Sequence, residues 1–137
     1  MNKDEKWTIW NPDNIAGEPA YYTEIVQEEE AIRFTLNCEH KIIDVLFYGF
    51  VPIYIYSEEG IRMATWAAVQ EKEHDRFYFQ KWFLYRIEHS DFLDWAIKEG
   101  CGFYKKEAFM HYCIVTQDDV VDILSSCEPV IVVRDKN

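Results

Sequence analysis

Ala31-Ile32-Arg33-Phe34-Thr35-Leu36-Asn37-Cys38 alternates without a break. Ile32, Phe34, Leu36 and Cys38 fall on one side and Arg33, Thr35 and Asn37 on the other, the period-two pattern of a strand half buried in a sheet. Upstream, residues 22–27 alternate weakly, and Glu28-Glu29-Glu30 between the two stretches marks a turn. Downstream, residues 41–48 are rich in Ile, Val, Leu and Phe and read as a third strand, punctuated by Gly49. Residues 50–56 read as a fourth, with Val51, Ile53 and Ile55 facing one way. Pro52 has no N–H to give to a ladder and places this strand at a sheet edge or a bulge. Ser57-Glu58-Glu59-Gly60 is a turn. Ahead of all this, residues 1–20 contain Pro12, Gly17 and Pro19 and read as an irregular lead-in with a short edge strand at residues 7–10.

Residues 61–73 carry two patterns at once. Ala64, Ala67, Ala68 and the Gln-Glu-Lys-Glu tail suit a helix, the preferred reading. Ile61, Met63, Thr65, Ala67 and Val69 also alternate as a strand does. Residues 77–88, aromatic on both faces, predict a central strand. Ser90 is a good N-cap, with Asp91 in the first turn, where the helix dipole favours negative charge. Phe92, Trp95, Ala96 and Glu99 share one helical stripe, and Gly100 suits the left-handed C-terminal position. Residues 111–116 predict a short strand. Thr116 then caps a second helix over residues 117–125, with Val120, Val121, Ile123 and Leu124 at core spacing. Pro129 opens a last strand over 130–133, and the final four residues are expected to fray. This order predicts an α+β fold: a single domain over residues 1–137, built on one mostly antiparallel or mixed sheet with two or three helices packed on it.

The 137 residues leave room for one domain of ordinary size. With 49% apolar and 17% aromatic residues, the chain buries enough surface to exclude intrinsic disorder. Fourteen Lys and Arg against twenty-five Asp and Glu give a net charge of -11. That charge repels phosphate, so neither nucleic acid nor an anionic membrane is an expected partner. Met1–Trp7 is charged and has no apolar run behind it, so it is no signal peptide. No run approaches the roughly 18 uncharged apolar residues of a membrane span. A cytoplasmic chain is expected. Residues 13–59 hold ten acids against Arg33 and Lys41 alone. Alternation along strands can gather many of these acids on one sheet face or turn edge, a field that steers a basic protein.

Catalytic and metal motifs are scarce. His40, His74, His89 and His111 form neither an H-E-x-x-H nor an H-x-H pattern, and no metal site is expected. Cys101, His111 and Cys113 lack the spacing zinc modules use. Cys38 and His40 share a strand face and could form a thiol–imidazole pair, but nothing in the sequence supplies an orienting third group. Cys38, Cys101, Cys113 and Cys127 contain no C-x-x-C pair and read as buried free thiols. Asp44 interrupts an apolar strand, so either its face is open to solvent or an Arg compensates its burial. The five glycines form no phosphate cradle, and no cofactor is expected. Tyr54 and Tyr56 share a face with Phe50, but Glu58 and Glu59 follow directly, which suits a protein contact better than a base-stacking platform.

The second half carries a family resemblance. It runs through Ser57-Glu58-Glu59-Gly60 with Arg62 and Trp66, then Glu88-His89-Ser90, Phe92, Trp95 and Gly102. His111-Tyr112, Thr116-x-x-Asp119, Asp122-Ile123-Leu124-Ser125 and Glu128-Pro129 complete it. Residues 57–131 resemble small acidic bacterial immunity proteins of polymorphic or contact-dependent inhibition toxin systems. The resemblance implies a cytosolic, non-enzymatic protein that binds and blocks a cognate protein toxin. Such toxins are often basic nucleases, which fits an acidic inhibitor. Glu28, Glu29, Glu30, Glu58 and Glu59 are the expected steering groups, and Tyr54 and Tyr56 the expected buried anchors. The alternatives are a non-enzymatic interaction or regulatory domain, including a homodimer, and a small Cys/His enzyme.

Overall fold

The computed structural model describes residues 4–136. Five strands, β1 (Lys6–Ile9), β5 (Ile53–Glu58), β6 (Leu84–Glu88), β7 (Met110–Val115) and β8 (Asp119–Ser125), form one antiparallel sheet in the order β1-β6-β7-β8-β5. The other four, β2 (Ala20–Gln27), β3 (Ile32–Cys38), β4 (Lys41–Phe47) and β9 (Val130–Asp135), form a second in the order β2-β3-β4-β9. The described residues also form two short α-helices, α1 (Met63–Lys72) and α2 (Asp91–Glu99), and three short 3-10 turns. The fold is therefore mostly β, and the expected α+β arrangement of one sheet under two or three helices is corrected.

Residues 117–125 account for much of that difference. Thr116 Oγ1 does accept the N–H groups of Asp118 and Asp119, as a helix cap would. The backbone, however, closes a turn through Thr116 N–H to Asp119 O at 3.0 Å and leaves as β8. Val120, Val121 and Ile123 are β-branched and lose rotamer freedom in a helix. They and Leu124 are all buried because β8 is covered on both faces. Apolar residues on both faces, with only Asp122 between them, report two-sided burial, which removes the alternation that would have marked a strand.

The layers follow from residue parity. Phe34, Leu36, Ile43, Val45 and Phe47 of the four-stranded sheet pack on Leu84, Tyr112, Ile114, Val121 and Ile123 of the five-stranded one. The opposite side chains of that central sheet, Tyr85, Ile87, Cys113, Val115 and Val120, meet Val69 of α1 and Trp7 of β1. Leu93 of α2 covers Leu124 and Phe109. The five-stranded sheet is thus the middle layer. Three crossings join the sheets, and the β4–β5 and β8–β9 crossings touch each other: Ser126 N–H donates to Phe50 O at 2.9 Å, and Phe50 N–H to Ser126 Oγ at 2.8 Å. Gly49 is needed there, since a Cβ on it would lie 2.7 Å from both Cys127 Sγ and Ser126 Oγ.

Other local readings shift by small amounts. Only residues 84–88 of the 77–88 stretch are strand; residues 78–80 form a 3-10 turn that stacks Tyr78 and Phe79 against Tyr85. On α2 the inward stripe is Leu93 with Phe92, Ala96 and Ile97, while Trp95 and Glu99 face outward. Gly100 has φ of −77°; the left-handed positions are Cys101 and Gly102. Arg134 and Asp135, expected to fray, belong to β9, and Lys136 N–H donates to His40 O. Met1–Lys3 of the lead-in and Asn137 lie outside the described residues. Asp44 is 7% exposed, accepts the Thr35 hydroxyl at 2.8 Å and faces Arg134 Nε at 3.1 Å and Arg33 Nη1 at 3.7 Å, so the Arg-compensated alternative holds.

Asp119 links the sheets. It takes Thr23 N–H at 2.9 Å and Thr23 Oγ1–H at 2.8 Å from β2, and the Thr116 hydroxyl at 2.6 Å. Asp119→Ala should destabilise the fold by about 3 kcal/mol, since several buried donors lose their acceptor together. Urea unfolding checks this; a loss under about 1 kcal/mol would mean water replaces the carboxylate at little cost.

Candidate functional site

β7, β8 and α2 bring together a polar array that the sequence motifs did not predict. His111 Nδ1 lies 2.6 Å from Ser90 Oγ, and His111 Nε2 lies 2.8 Å from Asp122 Oδ1. The Arg62 guanidinium pairs with the other Asp122 oxygen. Glu5 stands alongside, accepting the Trp7 indole N–H at 3.0 Å and the Asp91 N–H at the start of α2 at 2.9 Å. Glu5, Arg62, Asp91, His111 and Asp122 line a cavity of about 350 Å³ whose wall also includes Ile55, Ser57 and Phe92.

Ser, His and Asp in a row invite a hydrolase reading, and the geometry argues against it. Ser90 is 1% exposed and is absent from the cavity wall. Its Oγ accepts the Leu93 N–H at 3.0 Å as the N-cap of α2. A nucleophile needs a substrate carbonyl within about 3.5 Å, and this oxygen has no such access. The array instead ties α2 to the middle of the sheet. Burial works to raise the Asp122 carboxyl, but the His111 hydrogen bond, then its charge and that of Arg62, outweigh it and hold the group below the usual aspartate range.

The proposed Cys/His pairs do not form sites. Cys38 is buried and its thiol is pushed up, chiefly by burial. His40 is exposed and turned to Glu18, which accepts the His40 and Lys41 N–H groups at 2.6 and 2.9 Å. Cys113 is buried with its thiol pushed well up by burial, while Cys101 is exposed beyond α2. Among the described residues no group of His, Cys, Asp and Glu is placed to hold a metal ion. The four cysteines are free, as expected, but Cys101 and Cys127 are exposed rather than buried.

The expected contact residues divide into two groups. Glu28, Glu29 and Glu30 form the β2–β3 turn, and Glu28 pairs with Arg33 Nε at 2.7 Å. Glu58 and Glu59 end β5 at the other end of the sandwich, where Glu59 N–H donates to Asp118 O and Asp118 N–H to Tyr21 O. The length of β2, roughly 25 Å for eight residues, separates the two groups. Tyr54 is half-buried and packs against the core, edge-on to Phe34 at 5.6 Å. Tyr56 is 50% exposed, and its hydroxyl donates to Asp119 at 3.1 Å. The same end gathers Ile55, Ile61 (75% exposed) and Met63, none of which the sequence marked as a contact residue. Glu59 also borders a cleft of about 640 Å³ walled by Trp66, Phe79 and Trp82.

Comparison with protein-family models, with curated proteins and with solved structures gives no match. Among the described residues no helix is long and apolar enough to cross a membrane.

Two measurements check this geometry. An aromatic disulfide reagent should label Cys101 and Cys127 at once, and Cys38 and Cys113 only after denaturation; immediate labelling of Cys38 would revive the thiol–imidazole pair. Because the folded Asp122 carboxyl binds its proton less readily than the unfolded one, its stabilising contribution is complete above about pH 4 and is lost as pH falls through the lower folded value. The stability gap between the wild type and Asp122→Asn should therefore narrow below about pH 4. A gap that stays constant down to about pH 2 would remove the carboxylate charge from the account.

Proposed function

We propose that the protein is a cytoplasmic, non-enzymatic immunity-type inhibitor that binds a cognate basic toxin domain, such as a nuclease, and blocks it. The observation that carries this reading is the surface at the end of β5. Tyr56 is exposed on one face of β5 and Ile55 on the other, Ile61 and Met63 are exposed just beyond the strand, and Glu58, Glu59 and Asp118 lie beside them. Exposed apolar side chains set among acids, on a chain of net charge -11, suit a partner of opposite charge. Tyr56 is the anchor: its hydroxyl is held by Asp119, so its ring enters an interface with little rotamer freedom left to lose. Tyr54 has no part in the contact, and the Glu28–Glu30 turn contributes only to the long-range field.

The test is co-expression with a basic toxin domain encoded beside this gene, followed by binding at low and high salt. Growth rescue, a stable complex and an association rate that falls with salt are expected. Tyr56→Ala should weaken the complex about thirtyfold, and Tyr56→Phe much less, because the ring carries the contact. Absence of rescue, or a rate indifferent to salt, sinks the reading.

A further inference from the structure

Four strands form the edges of the two sheets: β1, β5, β2 and β9. Exposed edges offer unpaired backbone groups and are normally blunted by charge, bulges, proline or shortness. β1 has four residues and begins at Lys6. β2 has a register shift between Ala20 and Tyr22 and carries Glu24. β9 likewise follows a proline and carries no charge over its first four residues, but it ends in the mixed pair Arg134 and Asp135, with Arg134 held by Asp44. β5 ends in acids alone. Ile53-Tyr54-Ile55-Tyr56-Ser57 carries no charge before Glu58, and its register with β8 is continuous over all six residues. Its one protective residue, Pro52, lies outside the strand.

We propose that the free edge of β5 is a docking strand for an extended basic segment of the partner protein, which joins the five-stranded sheet as a sixth strand. The proposal rests on the inhibitor reading above and supplies its mode of contact. An added strand sends alternate side chains to the two faces of the sheet. On the Ile55 and Ser57 face lies the 350 Å³ cavity, walled by Glu5, Asp91 and Asp122 together with His111 and Arg62. All three acids already have partners, so the cavity offers a negative field rather than empty acceptors. A Lys or Arg fits it, with the aliphatic stem along Ile55 and Phe92 and the charged end toward the acids. On the other face the strand passes Tyr56 and meets Glu58. A second copy of this chain is a poorer occupant, because each copy brings a net charge of -11.

The experiment needs no toxin. The isotopically labelled protein is titrated with the peptide acetyl-Thr-Lys-Val-Lys-Val-Lys-Thr-amide, with the same peptide carrying proline in place of its second valine, and with an acidic version carrying Glu for Lys. Amide shifts and hydrogen exchange are read at residues 53–58. The basic peptide should slow exchange along β5, the proline peptide should bind about tenfold more weakly, and the acidic one should not bind. Ile55→Lys, which places a charge on the edge, should abolish the effect while the near-ultraviolet dichroism stays unchanged. Equal affinity for the proline peptide, or shifts confined to the Glu28–Glu30 turn, would overturn the docking strand. So would a dimer in sedimentation that Ile55→Lys dissociates. Toxin inhibition without protection of β5 defeats only this inference; peptide pairing at β5 without any toxin inhibited defeats only the inhibitor reading.

Discussion

Asp119 has no exposed surface and sits at the first residue of β8, between two sheets whose facing side chains are almost all apolar. Burying a carboxylate there costs several kcal/mol unless donors surround it. Thr23 gives both its N–H and its hydroxyl, and Thr116 and Tyr56 give theirs. Each donor belongs to a different piece of the chain: the start of β2, the β7–β8 turn and the edge strand β5. A slip of β2 by one residue would strand the carboxylate as well as turn Ile25 outward, so polar and apolar demands select the same register.

Three residues along the same strand, Asp122 points to the opposite face, since an odd separation reverses direction. It binds His111 and Arg62 and, through His111, the cap of α2. One strand therefore fastens both of its neighbouring layers, with a carboxylate for each. With β8 fixed from both sides, β5 has a rigid partner along one edge and nothing comparable along the other. The apolar residues at the end of β5 stand out on that rigid support.

The first half of the sheet structure was legible because it alternates. Phe34, Leu36 and Cys38 face the core, and the polar Arg33, Thr35 and Asn37 take the opposite face of the sheet, so period two survives in the sequence. Ser90 and Asp91 marked α2 because capping is local chemistry. β8 was lost because it is buried on both faces, and Thr116 makes the same hydrogen bonds in a turn as at a helix cap. The site was less legible than the fold. Asp119 and Asp122 interrupt an apolar run just as Asp44 does, and that interruption was the available signal for a buried, partnered carboxylate. Their partners Thr23 and Arg62 lie far away in sequence and no spacing could reveal them. The acids did not converge, because turns at the two ends of β2 hold them apart.

β9 closes the four-stranded sheet along β4, although about 80 residues of the other sheet and its helices lie between them. Residues 20–47 can pair as a local meander, but β4 keeps an open edge until residue 135 has been made. Contacts so distant in sequence form late, because the intervening loop must be ordered first. During that interval Ile43, Val45 and Phe47 lack their cover beside β9. The nascent chain is most exposed to mispairing then, and the seam between the two crossings at Gly49 and Ser126 is where the last strand must be delivered.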